Sequence, residues 1–168
     1  MAVKSNQTTS SSIPGNIISS EQDFSLISVV IPARNEEDRI AAVIAETIEL
    51  ADQVIVVNDG SQDKTIEVAR EAGAEVIENT KGAGYIGATK TGFLQARGSI
   101  IITMDADGEH DPSYISYLTR PIINNEADLV LGSRKEIPRF SEKLINLLTN
   151  LKVRVKDSGT GFRAIRRE

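Results

Sequence analysis

The sequence predicts an α/β fold, a mostly parallel central sheet flanked by helices. Two features carry that expectation. Short β-branched runs alternate with longer segments whose apolar residues recur at helical spacing, and Gly, Pro, Asn or Asp stands at nearly every junction between them. Strands alternating with helices mean a parallel sheet covered on both faces.

Taken in order, Leu26 to Ile31 is a β-branched strand closed by Pro32, and Glu36 to Leu50 is an amphipathic helix with Ile40, Val43, Ile44 and Ile48 on its apolar stripe. Gln53 to Asn58 is a second strand, ending in the turn residues Asp59-Gly60-Ser61; Asp63 to Ala72 is a helix stopped by Gly73. Ala74 to Ile77 makes a third strand. Gly82 to Ala96 reads as helix despite its glycines, through Ile86, Ala88, Phe93, Leu94 and Ala96, and Gly98 separates it from the apolar run Ser99 to Met104. Pro112 suits a helix start before Ser113 to Ile123, Asp128 to Leu131 is a further strand, and Ser141 to Leu151 is a last amphipathic segment. No internal repeat is evident.

With 168 residues, 40% of them hydrophobic and 26% charged, the chain suits one domain over 26–168 behind a flexible polar tail, Met1 to Ser25. A formal net charge of -5 gives no global field to attract nucleic acid, so no nucleic-acid partner is expected. Local basic clusters do occur, at Lys152, Arg154 and Lys156 and at Arg163, Arg166 and Arg167. Cysteine is absent, which removes disulfides and thiolate chemistry together and makes a reducing, cytoplasmic setting the expectation. No stretch reaches the roughly 18 apolar residues of a membrane-spanning helix. Ser141 to Leu151 has an apolar face of Leu144, Ile145, Leu147, Leu148 and Leu151, flanked by Arg139, Lys143 and Lys152. Such a segment either packs on the sheet or rests peripherally on the cytoplasmic face of a membrane.

In sheets of this kind ligands bind where the strands end. Four exits carry polar groups: Pro32-Ala33-Arg34-Asn35-Glu36, Asn58-Asp59-Gly60-Ser61, Asp105-Ala106-Asp107-Gly108-Glu109-His110 and Gly132-Ser133-Arg134. The third says most about chemistry. A buried strand that stops at two carboxylates delivers hard oxygen ligands, which a divalent cation can bridge to a diphosphate. Taken alone, each exit also fits ordinary turn and cap chemistry; the four together point to a shared crevice and a nucleotide-sugar ligand.

The blocks Val29-Val30-Ile31-Pro32-Ala33-Arg34-Asn35-Glu36-Glu37, Val56-Val57-Asn58-Asp59-Gly60-Ser61-Gln62-Asp63-Lys64-Thr65, Lys81-Gly82-Ala83-Gly84, Met104 to Pro112, Gly132-Ser133-Arg134 and Asp157 to Ala164 follow one another in the order and at the spacing of a known family. In them the chain resembles the A-type inverting nucleotide-diphospho-sugar glycosyltransferases of family two, in the branch that acts on polyprenyl or dolichyl phosphate with mannose or glucose. The resemblance implies a Rossmann-like A-type fold, GDP-mannose or UDP-glucose as donor, a polyprenyl-phosphate acceptor and a Mg²⁺ or Mn²⁺ cofactor. It places Pro32, Arg34 and Glu36 on base and ribose, Asp59 on the nucleobase, Asp105, Ala106 and Asp107 at ribose and metal, Glu109 in a metal-ligand place that commonly holds Gln, and Arg134 and Arg163 on phosphates. Two departures stand out: Asn58 occupies a position that is usually acidic, and Arg34 one that is commonly aromatic. His110 is the single histidine. A structural place suits it better than that of a base, because a phosphate monoester acceptor is already ionised near neutral pH. Similar enzymes generally continue past the Gly-Phe-Arg motif, so the domain is expected to be either a short form or C-terminally truncated. Transfer to a saccharide or protein hydroxyl, nucleotidyl transfer and a non-catalytic nucleotide-sugar-binding module are the competing readings. Nucleotidyltransferases normally open with a Gly-rich loop, which Pro32-Ala33-Arg34-Asn35-Glu36 is not. The oligomeric state has no signature in the sequence.

Overall fold

The computed structural model describes residues 26–79, 82–133 and 160–167. The polar tail, Lys81, Arg134 and the segment Ser141 to Leu151 lie outside the described residues. Six strands, β1 (Ile27–Ala33), β2 (Gln53–Asn58), β3 (Glu75–Glu78), β4 (Ile100–Thr103), β5 (Leu129–Leu131) and β6 (Arg163–Arg166), form one sheet in the order β3-β2-β1-β4-β6-β5. Pairing is parallel from β3 through β4, and β6 runs antiparallel to both of its neighbours. The helices are α1 (Ile40–Ile48), α2 (Thr65–Glu71), α3 (Gly84–Gln95) and α4 (Ile115–Ile123), the last entered through a 3-10 turn at Pro112–Tyr114.

Both faces of the sheet are covered, which is why its central strands are apolar without alternation. One face sets Val29, Ile31, Val56, Ile100 and Ile102 against Ile40 and Ile44 of α1, Ala69 of α2 and Ile115 and Ile122 of α4. The opposite face sets Val30, Ile55, Val57 and Ile101 against Ala88 and Ala96, within and just after α3. That contact depends on a small residue: a Cβ at Gly92 would lie 2.2 Å from Val30 Cγ1. Gly92→Ala is therefore expected to lower Tm by about 2–8 °C, overpacking of roughly 1–3 kcal/mol outweighing the better helix propensity of alanine. A thermal melt at or above the wild-type midpoint would refute this.

Pro32 lies inside β1, paired with Val57, rather than closing the strand. In a strand the N–H and C=O of one residue face the same side, and sides alternate. Val30 O accepts from Met104 N, so Val30 and Pro32 face β4, while Ala33 O accepts from Asp59 N on the β2 side. By the level of Pro32 the chain has already left β4, so the N–H that proline lacks has no ladder partner to miss.

No strand pattern marks Arg163–Arg166 in the sequence, and the arginines of β6 act as fasteners. Arg166 pairs with Asp128 at 3.0 Å and donates to Asn125 Oδ1 at 2.9 Å and to Ile122 O, in the last turn of α4. Arg167 donates to Ala96 O just past α3. Both cations sit at helix C-termini, where a positive charge is favoured by the helix dipole. Among the described residues, no helix is long and apolar enough to cross a membrane.

Candidate active site

The parallel register puts the exits of β1, β2 and β4 on one edge of the sheet, with β1 between the other two. The loops after β1 and β2 are laced together. Asn35 N donates to Ser61 Oγ (3.0 Å), Glu36 N to Thr65 Oγ1 (2.8 Å) and Glu37 N to Asp63 Oδ2 (3.2 Å). In return Gln62 N donates to Asn35 Oδ1 and Lys64 N to Glu37 Oε2, both at 2.8 Å. Asn35 takes φ 57, a left-handed conformation that asparagine tolerates. The hydroxyl of Thr65 and the N–H groups of Thr65 and Glu37 hold the Asp63 carboxyl below its ordinary range. The bonding between the two loops has a signal in the sequence: both are rich in Asn, Ser, Asp and Thr, types that bond backbone N–H groups. The lacing also shortens α1, because residues before Ile40 serve the neighbouring loop.

The residues expected to meet the nucleotide stand among these bonds. Pro32 is buried, Arg34 is exposed, and Glu36 pairs with Arg39 at 3.3 Å. The amide at position 58 does the local work of the usual acid, since Asn58 Oδ1 accepts from Ser61 N at 3.1 Å. An acceptor oxygen suffices there. Asp59 is 6% exposed, and its Oδ1 accepts from Ala83 N at 2.7 Å, at the start of α3.

On the other flank of β1, Asp105 begins where β4 ends. Its N–H donates to His110 Nδ1 at 3.1 Å, which leaves His110 Nε2 as the protonated nitrogen facing Asp105 Oδ2 at 3.7 Å. The imidazole stacks on Phe162, with centroids 5.0 Å apart. His110 thus orients Asp105. Beneath the carboxylate lies Gly161, where a Cβ would come within 2.5 Å of Asp105 Oδ2 and 2.6 Å of Oδ1. Thr103 Oγ1 fixes that loop by donating to Gly161 O at 2.6 Å. Tyr85, in the first turn of α3, lies beside Asp105; burial and the carboxylate charge push its phenol up to about 12, so it stays protonated. Asp59 and Asp105 therefore converge on one helical turn, through Ala83 and Tyr85.

Ala106 is buried, Asp107 is half-buried, and Asp107 Oδ1 accepts from Glu109 N at 2.9 Å across a turn at Gly108. Glu109 is exposed. Among the described residues, no three His, Asp or Glu side chains come together as a metal cage. One or two carboxylates on a loop still fit a hard cation that takes its remaining ligands from phosphates and water. Glu109, His110, Tyr114 and Phe162 line a cleft of about 330 Å³ on the same edge. Arg163 opens β6, with its Nε donating to Thr160 O at 2.6 Å. Arg134, the other expected phosphate ligand, lies outside the described residues.

A sheet of this topology, with an Asp-Ala-Asp turn after the strand beside β1, has the architecture of the A-type glycosyltransferases. Residues 28–159 match glycosyl transferase family 2, and the chain belongs to that family. The dolichol-phosphate mannosyltransferase of Pyrococcus furiosus is 33% identical over 164 residues, covering 84% of this chain and 46% of that enzyme. The UDP-N-acetylglucosamine–dolichyl-phosphate N-acetylglucosaminyltransferase of Methanococcus voltae is 36% identical over 137 residues, covering 68% and 54%. Among solved structures, glucosyl-3-phosphoglycerate synthase from Mycobacterium tuberculosis, in complex with Mn²⁺, UDP-glucose and phosphoglyceric acid, matches with a TM-score of 0.73 at 27% identity, over 85% of this chain and 57% of that one. The chain thus spans about half the length of these relatives.

Proposed function

We propose that the chain is the donor-binding and catalytic part of an inverting transferase that moves a hexose from GDP-mannose or UDP-glucose to a polyprenyl or dolichyl phosphate. The observation that carries this reading is the convergence of Asp59 and Asp105 on the first turn of α3, beside the laced loops. The names of the Pyrococcus and Methanococcus relatives support a phosphorylated polyprenol as acceptor, and the Mn²⁺ complex of the mycobacterial enzyme supports a divalent cation.

In this reading Pro32, Arg34 and Glu36 hold the base and ribose, with the Arg34 guanidinium plane stacking where an aromatic ring is commoner. Asp59 accepts from the nucleobase. Asp107 would be the principal ligand for Mg²⁺ or Mn²⁺, with Asp105 and Glu109 as further oxygen donors and Asp105 also serving the ribose; Arg163 and Arg134 would contact phosphate. When bound, the cation supplies Lewis-acid stabilisation of the departing nucleoside diphosphate. An ionised acceptor phosphate needs no strong base, consistent with a His110 packed on Phe162 and turned toward Asp105. Ser141 to Leu151 would make the peripheral contact with the cytoplasmic membrane face.

Isothermal titration with GDP-mannose, UDP-glucose, GDP and UDP, with and without Mn²⁺, tests the reading. One nucleotide family is expected to bind, with the cation raising affinity at least tenfold. Metal-independent failure of every nucleotide would overturn it, and binding without turnover on a polyprenyl phosphate would leave a nucleotide-sugar-binding module.

A further inference from the structure

We infer that the groove between α3 and Arg163 of β6 binds a lipid monophosphate, its phosphate at Lys90 and Arg163 and its hydrocarbon chain along Ile86, Phe93 and Leu94. The inference rests on the transferase reading and locates its acceptor. The register fixes the side of the sheet involved: Ile101 packs with α3, Thr103 lies two residues further along the same strand, and Arg163 pairs with Thr103, so α3 and Arg163 share one face. Between them lies a groove of about 370 Å³ lined by Tyr85, Ile86, Lys90, Phe93, Leu94 and Arg163.

The groove is polarised along its length. α3 starts at the reaction edge, where Ala83 N reaches Asp59, and ends at the opposite edge, where Arg97 N reaches Gln53 Oε1 at the start of β2. Tyr85, Ile86 and Arg163 therefore mark the end beside Asp105, Lys90 the middle, and Phe93 and Leu94 the far end, about 12 Å of helix beyond Tyr85. Ile86 is 83% exposed and Leu94 71%, an apolar stripe on a helix whose sheet-facing side is already filled by Ala88 and Gly92. Two cations and a phenol match an anionic head, and the apolar stripe matches a chain leading away from it. A free phosphate uses only the first half of the groove; a lipid monophosphate uses all of it.

Titrations of the full chain with farnesyl phosphate below its micelle concentration, with farnesol and with inorganic phosphate, alongside nucleotide titrations with Mn²⁺, test the inference. Farnesyl phosphate is expected to bind more tightly than either fragment. Ile86→Asp and Leu94→Asp should each weaken it at least tenfold and Lys90→Gln about threefold, with nucleotide affinity unchanged. No farnesyl phosphate binding to the wild type, or equal binding in Ile86→Asp and Leu94→Asp, overturns the inference. So does unchanged lipid affinity accompanied by a Tm loss of many degrees, which would assign the stripe to internal packing, or by a dimer-to-monomer change in sedimentation, which would assign it to a second copy. Failure of nucleotide binding alone sinks the transferase reading instead.

Discussion

Asp107→Asn is expected to cut kcat/KM by about 10²–10³, roughly 3–4 kcal/mol of transition-state stabilisation, and to abolish the gain in nucleoside-diphosphate affinity that Mn²⁺ brings. The substitution is informative because of what it keeps. Asp107 Oδ1 accepts from Glu109 N, and an asparagine oxygen accepts the same bond, so the turn survives. Only the charge is lost. Titration of the variant with and without Mn²⁺, beside steady-state rates, separates the outcomes: an undiminished cation effect would show that Asp107 is not the ligand proposed for it.

The second large effect is expected from a residue without a side chain. Gly161→Ala places a methyl 2.5 and 2.6 Å from the two oxygens of Asp105, and the bond from Thr103 Oγ1 to Gly161 O holds residue 161 where it is. The carboxylate must yield. Because it is the end of a side chain and not backbone, the fold should tolerate the move, with Tm falling by only a few degrees, while cation-dependent nucleotide affinity drops at least tenfold. Circular dichroism melts with parallel titrations check both halves, and wild-type affinity in the variant would show that the position of Asp105 does not matter to binding.

How far each element was legible in the sequence follows from what holds it. β1, β2 and β4 are buried on both faces, so their apolar runs announced them. β6 did not announce itself: of its four residues two are arginines, and its identity depends on pairing with strands far away in the chain. Arg166 and Arg167 stand in the sequence only as members of a local basic cluster, yet both bind helix-end carbonyls that no local pattern reveals. Pro32 was read as a terminator because its tolerance rests on β4 ending early, a fact of register and not of sequence. At the site, Asp59, Asp105 and Asp107 were legible as strand exits. Tyr85 and Gly161 were not, since each acts through a contact across the fold.

The lacing of the first two loops has a practical consequence for anyone wishing to change the donor. Residues 35–37 and 61–65 exchange backbone and side-chain bonds in both directions, so neither loop has a shape independent of the other. If the two loops hold the base as proposed, a preference transplanted from a relative must travel as a matched pair of segments, and a graft of either one alone would arrive without its mould.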